Sequence, residues 1–452
     1  MRYKKIKGEI TVFLTLLFFS VSALILTVVE SARAQAVRVQ TERVMQTGIH
    51  SSFAEYNQDL LAYYDLLAID PSYRTSGGSV ENVRQHLEDY AEENFRSSDP
   101  DRQKSDWLKL YAEKTSILQY QLLSDGNGTV LIDQAVKSEQ DRGQQAHRSD
   151  LLRASRSMRP TDEGAFMNDF ARMLALAQDV EGNPAETVYE TAGSTDLLNL
   201  VTGSTHPSGR IASGSPSRRS LKKGTYGSLP PEDGTHLFDG YLLRRFGNYL
   251  YPKDHAVMAC EQEYLIAGKP TEKDSLRTCL RMILAQREDR NLNGLMHNGE
   301  ALRETEELAM ELCEGNGGDP YYTQMSLLYA WAYAEAAAEL GRLLHGGKAP
   351  MEDYTTPLIV PLSGLEEFTA YCGTGGGSGE PYEDYLAGLL VNTGRKQKVL
   401  RCMDLIEQNI RHAGHDGFRV DTSITYFRAE MAVGSSYGHG CRIEREYGYL
   451  FP

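Results

Sequence analysis

The sequence predicts an α+β protein that is mostly helical and carries one long helix at its N-terminus. Three observations lead to this prediction. Residues 10–29 form one uncharged apolar run, and apolar residues recur every three or four positions through most of the remaining chain. Only a few short segments alternate between apolar and polar side chains, as a strand does. Helices combined with a few antiparallel strands define the α+β class.

Length and composition exclude several kinds of protein. A chain of 452 residues is long enough for two or three domains. Its net charge of −15 excludes a general nucleic-acid binder, because such proteins gain affinity by neutralising phosphates. Six cysteines without a C-x-x-C pair exclude a disulfide-dense scaffold and a structural zinc module. Whether these cysteines pair with one another stays open.

The apolar run of residues 10–29 reads ITVFLTLLFFSVSALILTVV and contains no charge, Pro or Gly. As a helix rising about 1.5 Å per residue it spans about 30 Å, the thickness of the hydrocarbon core of a bilayer. We therefore predict a transmembrane helix in contact with membrane lipid. The residues expected to anchor it are Ile10, Phe13, Leu16, Leu17, Phe18, Phe19, Leu24, Ile25, Leu26 and Val29.

The charges on either side of the run predict its orientation. Residues 1–9 form a basic tail, which the positive-inside rule assigns to the cytoplasm. On the other side, Arg33, Arg38 and Arg43 reduce the difference in charge. We expect a single-pass protein of the cell membrane with its bulk outside the cytoplasm. The basic residues of the tail are Arg2, Lys4, Lys5 and Lys7.

A cleaved signal peptide is the alternative interpretation of the same segment. Ala32-Arg33-Ala34 fits the small-x-small cleavage pattern. Against cleavage, the run exceeds the usual length of about 7–15 residues for a signal-peptide core. No Pro occurs between Glu9 and Asp70, so the helix has no stop before that pattern. A retained anchor is the preferred interpretation, and both alternatives place the remaining chain outside the cytoplasm.

Residues 30–70 are predicted to continue the membrane helix as a stalk. Apolar residues recur there at spacings of 4, 3, 4, 3 and 4, which puts them on one face of a helix. This stripe docks either on the protein's own body, which is the preferred interpretation, or on a partner helix. It is too short to predict a coiled coil alone. The stripe consists of Ile49, Phe53, Tyr56, Leu60, Tyr63 and Leu67.

Residues 71–202 are predicted to form an α+β region containing a β-hairpin. The segment SILQYQLL (116–123) alternates, DGNG (125–128) is a turn signal, and TVLI (129–132) follows. A polar helix is expected from Asp133 toward Leu152. An amphipathic helix is expected around Phe166 to Ala177.

Residues 203–236 are rich in Gly, Ser, Pro and Thr and contain few apolar side chains. They cannot bury enough surface to offset the entropy of ordering, so we predict a flexible linker or a long loop. A basic spot in this segment is interpreted as a solvated surface, with an acidic wall polymer as the alternative partner. The spot consists of Arg218, Arg219, Lys222 and Lys223.

Residues 237–452 are predicted to be mainly helical with strands near the C-terminus. Thr271, three residues before Asp274, indicates a capping box at the start of a helix. Further helices are expected at about 299–313 and 322–344. Strands are expected at 261–267 and 418–431.

The sequence contains no recognisable catalytic motif, and no cofactor, metal or small-molecule substrate is predicted. G-x-S-x-G and H-E-x-x-H are absent, and the Gly-rich segment 373–379 lacks the Lys of a phosphate-binding loop, so we interpret it as a flexible connector. His412 and His415 would need Asp416 or Cys402 to complete a metal site. The simpler interpretation is that a helix ends there, because a histidine near a helix C-terminus interacts favourably with the helix dipole. We expect a non-enzymatic protein.

Two N-terminal segments carry a family resemblance: KGEITVFLTLLFFSVSALILTVVESARAQAVRVQTERV and FAEYNQDLLAYYDLLAID. They resemble a domain-of-unknown-function family of Gram-positive, mostly clostridial, bacteria. Its members occur in gene clusters for Tad-type (Flp) pili and share the layout of TadE/TadG-like minor pilins. The resemblance resumes at EQEYLIAGK (261–269), AWAYAEAAAELGRLLHGGKAP (330–350), YEDYLAGLL (382–390) and RCMDLIEQNIR (401–411).

This resemblance implies a membrane-anchored surface protein that acts in pilus assembly, with other Tad-type components as partners. It implies no catalytic or binding residues. A type IV prepilin has Gly at its cleavage point and Glu five residues later, whereas here Phe13 stands five residues after Gly8. Processing by a prepilin peptidase is therefore not implied. The alternative function is an exported, wall-associated hydrolase or binding protein with a cleaved signal peptide.

Overall fold

A computed structural model gives the architecture of most of the chain. The residues described are 9–75, 77–95, 108–141, 148–158, 164–178, 180–202, 207–225, 235–314, 317–354, 357–373, 375–436 and 438–449. The four basic residues that predict orientation, Arg2, Lys4, Lys5 and Lys7, lie outside them.

The described chain is mostly helical with one antiparallel sheet, as the sequence predicts. Its first helices are α1 (Glu9–Ala54), α2 (Gln58–Tyr64), α3 (Val80–Phe95), α4 (Asp125–Asp141), α5 (Arg148–Ser157), α6 (Ala165–Ala177), α7 (Pro184–Ser194) and α8 (Leu197–Thr202). The later helices are α9 (Thr235–Arg245), α10 (Glu261–Ala267), α11 (Glu272–His297), α12 (Gly299–Cys313), α13 (Pro320–Leu344), α14 (Tyr382–Asn392) and α15 (Arg395–His412). The strands are β1 (Leu110–Leu122), β2 (Ile424–Ser435) and β3 (Gly440–Gly448), and short 3₁₀ segments cover Pro216–Arg218 and Leu362–Gly373.

The helix α1 ends at Ala54, so the prediction of one continuous helix over 30–70 is wrong. The side chain of Asn57 caps α2 by accepting a hydrogen bond from the Leu60 N–H at 2.9 Å. The Asn57 N–H itself donates to the Ala68 carbonyl at 3.0 Å, which turns the chain back on itself. These bonds replace the helical pattern locally, although no Pro or Gly marks the break.

The break splits the predicted stripe between two cores. Ile49 and Phe53 on α1 are buried in a cluster formed with α3 and the sheet. Leu60 on α2 is buried in the larger cluster formed by the other helices. We call the first unit, made of the C-terminal half of α1, α3 and the sheet, the sheet module. We call the second, with α2 and the helices from α4 onward, the helical body.

The sheet has the order β1-β2-β3, and every pairing is antiparallel. Phe427 in the central strand pairs with Tyr120 of β1 on one side and with Tyr447 of β3 on the other. The predicted hairpin over 116–132 is therefore wrong, because β1 pairs with a strand from the other end of the chain. Residues 129–132 lie in α4 instead and are buried.

Two further strand predictions differ from the structure. Residues 261–267 form α10, not a strand, and Gly268 ends this helix in the left-handed conformation at φ 64°. A short apolar run fits a buried helix as well as a strand, which explains the error. The strand predicted at 418–431 is found, but it runs from Ile424 to Ser435. The Thr271 cap is confirmed, since its side chain accepts from the Asp274 N–H at 3.1 Å.

The Gly/Ser-rich segment packs as an ordered loop where residues 207–225 are described, so the flexible-linker alternative is wrong there. Backbone N–H groups of Ile211 and Ser217 donate to the helical body. Arg219, from the predicted basic spot, binds Glu407 at 2.7 Å and Asp421 at 3.2 Å. The loop is held by polar contacts, which a prediction based on apolar content misses. Residues 203–206 and 226–234 of the predicted segment lie outside the described residues.

The Gly-rich connector also packs where it is described. The Lys348 N–H donates to the Gly376 carbonyl at 2.8 Å, and Ala349 forms an antiparallel bridge with Glu380. Gly377 has φ 87° and a Cβ there would lie 2.5 Å from the Lys348 carbonyl oxygen, so glycine permits the approach. Flexibility is therefore the wrong interpretation for this part of the connector.

Candidate functional site

The N-terminal half of α1 is an apolar helix exposed on all sides. The ten predicted anchor residues are between 44% and 69% exposed. Two hydroxyl groups in the same stretch are satisfied within the helix, since Thr15 donates to the Thr11 carbonyl at 3.0 Å and Thr27 donates to the Ala23 carbonyl at 2.8 Å. Such internal bonds are what a polar side chain needs in hydrocarbon.

In length and composition this half of α1 is a candidate membrane span. Its apolar surface is uncovered by the rest of the described chain, whereas soluble monomers rarely expose large contiguous apolar patches. The arrangement is compatible with a single-pass membrane anchor. Its orientation depends on the basic tail, which lies outside the described residues.

The C-terminal half of the same helix belongs to the protein core. A buried stripe begins at Val37, only eight positions after Val29, and continues to Phe53. The predicted stripe began at Ile49, because polar and small residues interrupt the apolar pattern before it. The spacing of three and four residues extends the stripe back to Val37 once Thr41 and Ser52 are counted as buried positions. The stripe consists of Val37, Thr41, Val44, Met45, Gly48, Ile49, Ser52 and Phe53.

Aromatic packing fixes this half of α1 on the sheet module. The ring of Phe53 stacks on Phe427 with centroids 4.9 Å apart and meets Tyr447 and Tyr449 edge-on at 5.0 Å. The Tyr449 hydroxyl donates to the Phe53 carbonyl at 2.6 Å. One helix thus joins an exposed apolar segment rigidly to a folded domain.

The helical body contains a cavity of about 970 Å³ between α5, α9 and α14. Five carboxylates lie in its lining: Glu139, Asp150, Glu380, Glu383 and Asp384. Burial raises the pKa of Asp384, and the negative charges of Glu380, Glu383 and Asp150 raise it further. Tyr251, also in the lining, is 61% exposed. None of the described lining residues is Ser, Thr or Cys.

Residues 176–435 match a protein family described as a family of unknown function, DUF5702. The match covers more than half of the 452 residues. The chain belongs to the DUF5702 family. No curated protein and no solved structure matches it.

The DUF5702 match begins at the end of α6 and ends with β2. It therefore includes most of the helical body and the central strand of the sheet. The helix α1, together with α3, β1 and β3, lies outside it. The predicted membership of a family of unknown function is thereby confirmed.

Within the DUF5702 region, α10 presents two buried carboxyls to a neighbouring loop. Glu261 accepts from the Gly247 N–H at 2.8 Å, and Glu263 accepts from the Tyr249 N–H at 3.0 Å. Burial raises the pKa of each to about 7, although these hydrogen bonds oppose the rise. Both side chains hold the loop in place, so we assign them a structural role.

His412 and His415, the two histidines considered as metal ligands, do not form a common site. His412 is exposed in the last turn of α15, whereas His415 is buried and its Nε2 lies 2.9 Å from an Asp59 carboxylate oxygen. Asp416 is exposed and Cys402 is buried in the helical core. Across the described ranges, no group of three or more His, Cys, Asp or Glu side chains is arranged to hold a metal ion. No disulfide joins any of the six cysteines, all of which lie in the described part of the chain.

Proposed function

We propose that this DUF5702 protein is a non-enzymatic, single-pass membrane protein of a Gram-positive bacterium, with its bulk outside the cytoplasm. We further propose that it acts in a Tad-type (Flp) pilus system as a minor-pilin-like or assembly component. The observation that carries the proposal is the construction of α1. Its first half is apolar and exposed, and its second half packs on an antiparallel sheet.

This construction supports a role in assembly because it is the layout of a pilin-like subunit. An apolar helix of this length needs lipid or other apolar helices around it. The same surface can therefore lie in the membrane and later pack against helices of neighbouring subunits. The partners we propose are membrane lipid and other Tad-type components.

Membrane retention is tested first, in cells that make the full chain. Leu17→Arg puts a charge in the centre of the apolar run and is expected to reduce the fraction recovered with membranes after alkaline extraction. Val39→Arg is the matched control, because Val39 lies on the same helix, is 37% exposed and is outside the run. Equal retention of both variants and the parent chain would contradict the anchor.

The role in assembly is tested by crosslinking and pull-down of the full chain from membranes. We expect a pilus ATPase, an inner-membrane platform protein or a major pilin among the crosslinked proteins. Recovery of none of these, from cells that carry the pilus genes, would argue against the pilus role. Mass spectrometry of the mature N-terminus separates the two interpretations of the run: residues 1–9 intact support an anchor, and Gln35 as first residue supports cleavage.

The cavity favours one alternative, an exported hydrolase of the cell wall. A carboxyl with a raised pKa close to other carboxylates is the arrangement that glycoside hydrolysis uses, with one group as acid and another as base or nucleophile. In this alternative Asp384 is the acid. Asp384→Asn would then abolish release of soluble fragments from peptidoglycan, while Glu300→Gln, on the exposed face of α12, would not. Absence of release by the parent chain would rule the alternative out.

A further inference from the structure

The sheet ends close to the point where α1 stops being apolar. His439, in the turn between β2 and β3, pairs with Glu30, the first residue after the apolar run. The start of β1 lies beside the same turn, since the Ser436 N–H donates to the Lys109 carbonyl at 3.3 Å. Further along α1, the hydroxyl of Thr41 lies 3.2 Å from the sulfur of Cys441 on β3.

The rise per residue of α1 gives the distance between this end of the sheet and the hydrocarbon core of the bilayer. The polar headgroup layer adds about 5–7 Å on each side of the hydrocarbon. At about 1.5 Å per residue, Glu30 and Arg33 lie within about 6 Å of Val29 along the helix axis. The pairing of His439 with Glu30 therefore brings the β2–β3 turn to the headgroup layer.

This end of the sheet module is basic in an acidic protein. The segments 30–45, 108–114 and 430–445 together contain seven Lys and Arg against five Asp and Glu, while the whole chain has a net charge of −15. The Arg33 side chain is 30% exposed and lies 3.6 Å from a Glu30 carboxylate oxygen, a separation at which surface pairs are weak. Lys109, whose carbonyl accepts the hydrogen bond from Ser436, is exposed.

An exposed aromatic side chain lies at the same end. Tyr111, near the start of β1, is 49% exposed, and aromatic residues are enriched at the membrane–water interface. Basic residues next to a membrane segment are attracted to anionic headgroups. The proximity of the span selects a lipid surface over a soluble partner, because α1 holds this end of the sheet against the bilayer.

We propose that the β2–β3 turn and the start of β1 form a docking surface for the headgroups of anionic phospholipids, with Arg33 and Lys109 as the main phosphate contacts. Docking limits how far α1 and the sheet module can tilt relative to the bilayer. This inference rests on the membrane anchor of the proposed function. It does not depend on the pilus role.

The test is hydrogen–deuterium exchange of the full chain in lipid nanodiscs. One set of discs contains phosphatidylcholine alone, and the other contains phosphatidylcholine mixed with phosphatidylglycerol. We expect amides of residues 438–440 and 108–111 to exchange at least about threefold more slowly in the anionic discs, and the difference to disappear in high salt because screening weakens exposed charge interactions.

The double variant Arg33→Gln and Lys109→Gln is expected to lose this protection. Arg303→Gln is the matched control, since Arg303 is a 68% exposed basic residue 3.9 Å from a carboxylate, but on the helical body. Thermal denaturation checks that both variants stay folded. Equal exchange in the two kinds of disc would overturn the docking surface and leave the anchor intact. Failure of the chain to enter either disc would contradict the anchor and the docking surface together.

Discussion

Several carboxyl groups of the helical body are buried without a fully compensating charge. Glu288 on α11 is 2% exposed, and burial together with the negative charge of Asp289 raises its pKa to about 8. Burial likewise raises the pKa of Glu335 on α13 to about 7. Glu335 accepts hydrogen bonds from the backbone N–H groups of Ile359 and Val360 at 2.8–2.9 Å, which attaches the loop after α13 to that helix.

The raised pKa of Glu288 predicts that the protein becomes less stable as the pH rises. The folded chain keeps this proton up to about pH 8, whereas the unfolded chain releases it near the ordinary value of 4.5. The folded state therefore binds more protons between these values, and its stability falls as the pH increases through them, by at most about 1.4 kcal/mol per pH unit for one group. Glu288→Gln should reduce the difference in the free energy of unfolding between pH 5 and pH 8. Glu307→Gln, at an exposed position, should leave that difference unchanged.

A second residue-scale prediction concerns the ion pair between Lys398 and Asp239, in which both side chains are 1% exposed. Lys398→Met leaves the Asp239 carboxylate buried without its partner and should destabilise the protein by about 3–5 kcal/mol. Adding Asp239→Asn removes the charge and should restore more than half of the loss. In Lys273→Met, which breaks a half-exposed pair with Asp196 at 3.7 Å, the change should stay below about 1 kcal/mol. Urea denaturation measures all three, and equal losses in Lys398→Met and Lys273→Met would contradict the prediction.

Among the elements, α4 begins in an unusual way. Gly126, Asn127 and Gly128 all have positive φ, at 65°, 57° and 87°, which is the signal read in the sequence as a hairpin turn. The left-handed residues are real, but they lead from β1 into a buried helix. A Cβ on Gly128 would lie 2.2 Å from a methyl group of Val399 on α15, so α4 and α15 pack closely there.

Gly128→Ala should therefore destabilise the protein by more than about 2 kcal/mol, because it adds left-handed strain of about 1–2 kcal/mol to a steric clash. Gly193→Ala is the control, since Gly193 lies inside α7 with open space around it. It should stabilise the protein by up to about 1 kcal/mol through helix propensity. Thermal denaturation compares the stability of the two variants with that of the parent chain. Unchanged stability of Gly128→Ala would contradict the prediction and show that α15 can move to accommodate the methyl group.

The attachment of α1 to the sheet predicts another difference between elements. Phe53→Ala removes a buried ring that contacts Phe427, Tyr447 and Tyr449, and should cost about 3–5 kcal/mol. Val39→Ala, at an exposed position of the same helix, should cost less than about 1 kcal/mol. Limited proteolysis should then cut the Phe53→Ala chain first between α1 and α2. Unchanged resistance would indicate that α1 is held mainly by other contacts.

At the scale of the whole molecule, the two ends of the chain meet in the sheet module. The helix α1 packs against β3, and β1 pairs with β2 from the C-terminal part of the chain. The DUF5702 match stops at β2, so the family region by itself lacks the partners that cover this strand on both sides.

This arrangement predicts where the chain can be shortened. A chain that starts at Gln35 keeps the buried stripe from Val37 onward and should fold without detergent. A chain that starts at Glu55 loses the stripe, exposes the apolar face of the sheet and should aggregate. Size-exclusion chromatography and circular dichroism compare the two. A folded, monomeric chain from Glu55 would show that α1 is not part of the core.

By itself, the sequence determined the features that depend on neighbouring residues. The apolar run of α1, the Thr271 cap and the helices α12 and α13 follow from local pattern and were predicted correctly in kind and approximate bounds. The mostly helical α+β class follows from the same patterns. A run of twenty uncharged residues needs no knowledge of the rest of the chain to indicate a span.

The tertiary structure alone decided the features that depend on distant contacts. The pairing of β1 with β2 and the packed loop at 207–225 rest on hydrogen bonds between residues far apart in sequence. The break after Ala54 rests on the turn in which Asn57 bonds to Leu60 and Ala68. The high pKa of Glu288 rests on burial among helices brought together by folding. A local sequence pattern cannot predict such contacts, because the stabilising partner lies up to several hundred positions away in the chain.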